Sequence, residues 1–151
     1  LICNPKEYKY VSIFRNPIDR VISHYNMHLE IKTKVASFGF SNWLKNDKFS
    51  KNLYCQYFSG RVYEDVNEQI FNSALDNIKN FFFIINFEEF ENETRDLFKK
   101  LDLNYNFEVK NFSSRFKKNY AEDINKMKIL AKEYNSWDLK LYKEFLTLKK
   151  N

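Results

Sequence analysis

A strand-like segment runs directly into a helix near the start of the chain, with no room for a loop between them. Residues 8–14 (YKYVSIF) are β-branched and aromatic without a breaker, which is typical of a buried strand. Asn16 suits a helix N-cap, and Pro17 suits the first helical position, where its missing N–H costs nothing. Apolar residues then repeat at helical spacing at Ile18, Ile22, Tyr25 and Leu29. The sequence therefore predicts a strand followed by a helix over 17–32.

The rest of the chain predicts a second strand among several helices. The run FFFIINF at 81–87 is the most apolar in the chain and predicts a central strand. Periodicity predicts helices at 51–58, 66–79, 88–100, 121–134 and 137–148, with a short one around Ser41–Lys45. Asn135 or Ser136 is expected to cap the last helix. Because strands separated by helical crossovers pair in parallel, we expect an α/β fold with a parallel sheet flanked by helices and a helix-rich C-terminal half, forming one domain over 1–151.

Composition excludes several classes of protein. The chain has two glycines, Gly39 and Gly60, so neither a GxGxxG nor a GxxxxGK phosphate loop exists in this stretch. Two cysteines, Cys3 and Cys55, are too few for a disulfide framework. No apolar run approaches the roughly 18–20 residues that cross a bilayer, so no membrane span is expected. The chain begins with Leu1, and we expect it to be a piece of a longer protein.

The two histidines are spaced four residues apart on the first predicted helix. His24 and His28 would lie on one helical face, but no third metal ligand stands near them along the chain. We therefore expect two ordinary helix residues and no metal site. A general-base role for either histidine is an alternative, because imidazole titrates near neutrality, and no catalytic residue is assigned.

The turn after the first strand is the strongest candidate for a ligand site. Ligands of parallel α/β sheets bind beyond the carboxyl ends of the strands, and Arg15 lies just past such an end. The next helix would offer free backbone N–H groups and a positive dipole end to an anion. The Arg15 guanidinium and the Ser23 hydroxyl would add donors. The alternative is that Arg15 forms an ordinary salt bridge with Asp19 or Glu30.

The run FRNPIDRVISHY resembles the 3′-phosphate-binding motif of sulfotransferases that use 3′-phosphoadenosine 5′-phosphosulfate (PAPS). That motif reads R-[DN]-P-x-[DE]-R-x-x-S-x-Y after a strand. The matching residues are Arg15, Asn16, Pro17, Asp19, Arg20, Ser23 and Tyr25. The resemblance implies that Arg15 and Ser23 grip the 3′-phosphate of the cofactor. Arg20 matches a recurrent arginine of the motif and is also assigned to the cofactor site, with a more structural role as the alternative.

Three further stretches are similar to the same family in the same order. Residues 52–60 (NLYCQYFSG) resemble the N-L-x-x-R-Y-L-S-G segment of bacterial members. Residues 81–103 resemble the strand and helix that carry an E-x-F-x-x-x-x-x-x-L-x-x-x-L pattern. Residues 135–145 (NSWDLKLYKEF) are similar to the N-x-x-D-x-x-L-Y-x-x-F ending of the carbohydrate branch, which includes heparan- and chondroitin-type enzymes.

One more segment bears on the cofactor, and one expected segment is missing. Residues 110–115 (KNFSSR) are similar to an N-x-S-x-R segment of the branch, which implies cofactor contacts from Ser113 and Arg115, with a plain polar turn as the alternative. The Lys- and Ser/Thr-bearing loop that holds the 5′-phosphosulfate is absent. Residues 4–6 (NPK) echo its start, but the residues after them lack the Gly and hydroxyls. The resemblance therefore implies the C-terminal portion of a sulfotransferase domain with a partial P-loop-like sheet.

The implied activity is transfer of a sulfuryl group from PAPS to a hydroxyl of a carbohydrate acceptor, an anionic glycan among the options. The product of the cofactor is 3′-phosphoadenosine 5′-phosphate. This portion alone is expected to be inactive, because half of the cofactor site is missing.

One alternative function is an inactive remnant of such an enzyme. Another is a nucleotide- or nucleic-acid-binding module, suggested by the net charge of +5 and interleaved aromatics. No recognition helix or RNP-like strand supports a nucleic-acid partner. The compartment would be cytoplasmic in a bacterium and the Golgi lumen in a eukaryote.

Overall fold

The computed structural model describes residues 9–105 and 123–150, which divide into two compact units. Among the described residues, the first unit contains 9–15 and 81–105, and the second contains 16–80 and 123–150. One domain over 1–151 stays a prediction.

The first unit contains a parallel pair of short strands and one helix. Strand β1 (Val11–Phe14) pairs with strand β2 (Phe83–Asn86), so that Phe14 lies opposite Asn86. Both strands are shorter than predicted. The second ends early because the Asn86 side chain accepts a hydrogen bond from the Glu88 N–H and turns the chain into a 3₁₀ turn. Helix α5 (Phe90–Lys100) follows and packs on β2. The parallel pairing predicted from the sequence is confirmed.

The second unit is entirely helical apart from its connections. It contains α1 (Pro17–Glu30), α2 (Phe40–Asn46), α3 (Leu53–Ser59), α4 (Glu68–Lys79), α6 (Ile124–Tyr134) and α7 (Ser136–Lys150). Its largest fully buried side chain is Trp43 of α2, which packs in a core with Val21 and Tyr25 of α1 and with Met127 and Ala131 of α6. The helix predictions are confirmed to within a few residues at each end.

Local signals place the ends of the helices where the sequence predicts them. The Asn16 side chain accepts from the Ile18 N–H at 3.0 Å and caps α1, and Pro17 is its first residue. Gly60 ends α3 with φ of 74°, in the left-handed region that favours glycine.

The start of α7 differs from the prediction, because its cap comes from a distant residue. Asn135 precedes the helix, but its side-chain oxygen accepts from the Asn52 N–H at 2.8 Å. Asn52 in turn accepts from the Asp138 N–H at 3.2 Å, which makes Asn52 the side-chain cap of α7. The Asp138 carboxylate accepts from the N–H groups of Tyr54 and Cys55 at 3.0 and 2.8 Å. Helices α3 and α7 therefore cap each other.

The described part of the chain is thus a helix-rich α/β structure with a small two-stranded parallel sheet. Among the same residues, no helix combines the length and the apolar character that crossing a bilayer requires.

Candidate functional site

The turn that follows β1 places Arg15 at the carboxyl edge of the parallel pair. Arg15 comes directly after Phe14, and Phe87 comes directly after the last residue of β2. Because parallel strands end at the same edge of a sheet, the two side chains meet there. The Arg15 guanidinium carbon lies 4.7 Å from the centre of the Phe87 ring. A half-buried cation therefore lies at the edge where parallel α/β sheets bind ligands.

The backbone donors at the start of α1 are not free, which corrects one expectation. Pro17 has no N–H, and the Asn16 side chain accepts from the N–H groups of Ile18 and Asp19 at 3.0 and 3.4 Å. The Asn16 carbonyl accepts from the Arg20 N–H at 3.0 Å. The expected free N–H groups are therefore already bonded, because a good N-cap competes with an external anion for the same donors. Anion binding at this turn would depend on side chains and the helix dipole.

The other predicted cofactor residues lie in different parts of the chain. Ser23 is exposed on α1 and belongs to the second unit, whereas Arg15 belongs to the first. Binding of one phosphate by both Arg15 and Ser23 stays a prediction. Ser113 and Arg115 lie outside the described residues.

Arg20 lies in the interior of the second unit rather than on its surface. Its Nη1 donates to the Phe49 carbonyl at 2.9 Å, and its guanidinium carbon lies 5.5 Å from the centre of the Tyr54 ring. Its Nε and Nη2 are buried and have no hydrogen-bond partner among the described residues. Burial lowers the pKa of Arg20, and the nearby Asp138 carboxylate opposes that effect. This position favours the structural alternative for Arg20, and its predicted contact with the cofactor stays a prediction.

The Asp138 carboxylate is fully buried within the second unit. Burial raises its pKa, while the N–H groups of Cys55 and Tyr54 and the charge of Arg20 oppose the rise. The same burial raises the pKa of the Cys55 thiol, and the neighbouring Asp138 charge adds to the effect. Asp138 and Cys55 therefore hold α3 and α7 together, and Cys55 is not an activated nucleophile.

The two histidines form a cluster with a carboxylate that sequence reasoning missed. His24 Nε2 and His28 Nε2 are 3.1 Å apart, and His28 Nε2 lies 3.7 Å from Asp47 Oδ2. Both imidazoles lie against the buried Trp43 ring, at 5.3 and 5.6 Å between ring centres. Asp47 follows α2, and no spacing in the sequence links it to α1. Only the packing of α2 beside α1 brings the carboxylate to the histidines.

Further bonds fix the cluster in place. His28 Nδ1 lies 3.1 Å from the Thr33 hydroxyl oxygen, and the Phe49 N–H donates to Asp47 Oδ1 at 2.9 Å. Burial lowers the pKa of His24, and the Asp47 charge opposes the shift. His24 is therefore held toward its neutral form.

Aromatic side chains that could stack on a sugar divide between core and surface. Trp43 and Phe58 are buried and Tyr54 is half-buried, whereas the Tyr57 side chain is 53% exposed. Of these four, Tyr57 has the exposure that best suits stacking on a sugar.

No protein-family model matches this sequence, and neither a curated protein nor a solved structure does.

Proposed function

We propose that this chain is the 3′-phosphate-binding portion of a PAPS-dependent sulfotransferase that acts on a carbohydrate hydroxyl. In this proposal the two-stranded sheet is part of a P-loop-like parallel sheet. The 5′-phosphosulfate would be held by residues other than those matched in this chain.

The observation that carries the proposal is the place of Arg15. It directly follows a strand of a parallel pair and directly precedes a helix that Asn16 caps and Pro17 begins. This is the setting in which the family motif resembled by FRNPIDRVISHY is expected, after a strand and at the start of a helix. The Phe87 ring supports the guanidinium from one side, which favours a fixed donor fork over a freely rotating surface arginine.

A second observation supports the resemblance of two other segments. Residues 52–60 and 135–145 each resemble a segment of the family, and they are far apart in the chain. In the structure Asn52 bonds both Asn135 and Asp138, and the Asp138 carboxylate bonds the start of α3. The polar residues Asn52, Asn135 and Asp138 of the two segments therefore belong to one hydrogen-bond network. Two unrelated chance resemblances would not be expected to meet in this way.

The chemistry of sulfuryl transfer explains why the 3′-phosphate-binding portion would need the Arg15 guanidinium and the Ser23 hydroxyl. Transfer in line between two oxygens depends on positioning the donor and on positive charge where negative charge develops. Arg15 and Ser23 would hold the far end of the cofactor through hydrogen bonds to the 3′-phosphate. A bond to a charged group contributes about 1.5–3 kcal/mol, which is roughly 10- to 150-fold in affinity.

The test compares two nucleotides that differ only in the 3′-phosphate. Adenosine 3′,5′-bisphosphate and 5′-AMP are titrated into the chain by calorimetry. We expect the bisphosphate to bind more tightly, and Arg15→Ala to remove about 10- to 150-fold of that preference with little change for 5′-AMP. Ser23→Ala is expected to act in the same direction.

The matched control is Arg95→Ala, which removes an exposed arginine that pairs with Glu91 on α5. It should leave both affinities unchanged. Equal affinity for the two nucleotides, or equal effects of Arg15→Ala and Arg95→Ala, would contradict the proposal.

A further inference from the structure

The cluster of His24, His28 and Asp47 has the composition and geometry of a metal centre. One ligand atom from each residue lies within 4.8 Å of the other two. Zinc bonds of 2.0–2.2 Å at tetrahedral angles separate neighbouring ligand atoms by about 3.3–3.6 Å. The separations of 3.1 Å between the two Nε2 atoms and 3.7 Å from His28 Nε2 to Asp47 Oδ2 lie on either side of that value, and the ligand atoms of His24 and Asp47 are at most 4.8 Å apart. Small side-chain movements would therefore bring all three atoms onto one ion.

The surrounding bonds prepare the ligand atoms. The Thr33 hydroxyl donates to the His28 carbonyl at 3.3 Å, so its oxygen is left to accept from His28 Nδ1–H. That tautomer leaves the lone pair of His28 on Nε2, the atom that faces His24. The Phe49 N–H occupies Asp47 Oδ1 and leaves Oδ2 toward the histidines. Partners of this kind orient the ligands in metal sites.

We propose that His24, His28 and Asp47 bind a zinc ion, with a fourth position open to water or an exogenous ligand. Two imidazole nitrogens and one carboxylate oxygen suit zinc, whereas calcium and magnesium prefer oxygen ligands alone. The open position follows from the three protein ligands and from their partial exposure, 19% for the His28 side chain and 14% for Asp47. The ion would tie the C-terminal half of α1 to the residue after α2.

The first measurement is a calorimetric titration of the chain, freed of metal with EDTA, with zinc chloride. We expect one zinc per chain and a rise in Tm that saturates at the same stoichiometry, because an ion that binds only the folded state stabilises it. Magnesium chloride should produce neither effect. Cobalt(II) should show visible absorption typical of a four-coordinate site with nitrogen and oxygen ligands, without a thiolate charge-transfer band.

Variants assign the binding to the three residues. His24→Gln, His28→Gln and Asp47→Asn should each weaken zinc binding by more than the roughly 10- to 100-fold that loss of an outer partner causes, and Thr33→Val should fall within that range. Asp47→Asn is informative because its amide oxygen can still accept from the Phe49 N–H, so the local fold is kept. Asp76→Asn changes an exposed aspartate on α4 and serves as the matched control.

Two results would overturn the proposal. One is the absence of saturable zinc binding by the unchanged chain. The other is binding that survives His28→Gln and Asp47→Asn, or that carries a cobalt–thiolate band, since either would place the ion elsewhere. None of these measurements depends on nucleotide binding, so the zinc site and the proposed function are tested independently.

Discussion

Replacing Asp138 by alanine removes the two hydrogen bonds by which its carboxylate caps α3. The carboxylate is fully buried and accepts two backbone hydrogen bonds, from the Cys55 N–H at 2.8 Å and the Tyr54 N–H at 3.0 Å. Alanine removes the carboxylate that accepts both bonds, of which the one from Cys55 is buried and the one from Tyr54 is partly buried. It also removes the negative charge that stabilises the charged form of Arg20. The Nε and Nη2 atoms of Arg20 already have no hydrogen-bond partner among the described residues.

The magnitude follows from these losses. Each N–H group that loses its acceptor costs about 1–3 kcal/mol, so the two lost bonds cost about 2–6 kcal/mol together. For a chain of this size, each kcal/mol lowers Tm by about 2–4 °C, so we expect Asp138→Ala to lower it by about 4–24 °C. Asp138→Asn should lie between wild type and alanine, since its amide oxygen can keep one of the two N–H bonds.

Urea unfolding followed by tryptophan fluorescence measures the effect, because Trp137 adjoins Asp138 in the chain and Trp43 reports the core. Asp76→Ala is the control. It removes an exposed carboxylate whose pair with Lys79 contributes about 1 kcal/mol or less. If Asp138→Ala costs no more stability than Asp76→Ala, the capping of α3 by the Asp138 carboxylate does not stabilise this protein.

Two other predictions follow from the buried titratable groups. In a Cys3→Ser chain, the Cys55 thiol should react with a thiol reagent only as fast as the protein unfolds, because burial raises its pKa and excludes the reagent; rapid reaction of the folded chain would contradict this. Because burial lowers the pKa of His24, the unfolded state binds a proton there more readily than the folded state does. With EDTA present, the free energy of unfolding should therefore fall as the pH drops below about 6.5, the unfolded value. His24→Gln should make the pH profile flatter, and a profile that is unchanged by this substitution would count against the assignment.

Much of the local structure could be predicted from the sequence. The end of β1, the Asn16 cap, the Pro17 start of α1 and the Gly60 end of α3 all depend on interactions within a few residues. Such interactions are fixed by chain spacing, so the sequence pattern reports them directly. The parallel pairing of the two strands could also be predicted, because helices connect them and crossover connections favour that arrangement. The expectation of free N–H groups at α1 was wrong because the Asn16 side chain, which the sequence predicts as the N-cap, accepts from the same N–H groups.

The interactions between distant residues were decided by the tertiary structure alone. Asn52 begins a segment that resembles the sulfotransferase family, yet its side chain caps a helix that begins at Ser136. Asp47 carried no signal in the sequence, yet it completes the cluster with His24 and His28. Side chains far apart in the chain meet only when whole helices pack, and packing depends on the shape and burial of many residues together. The sequence by itself therefore determined where the strands and helices lie and which residues could carry chemistry, and helix packing decided which of those residues meet.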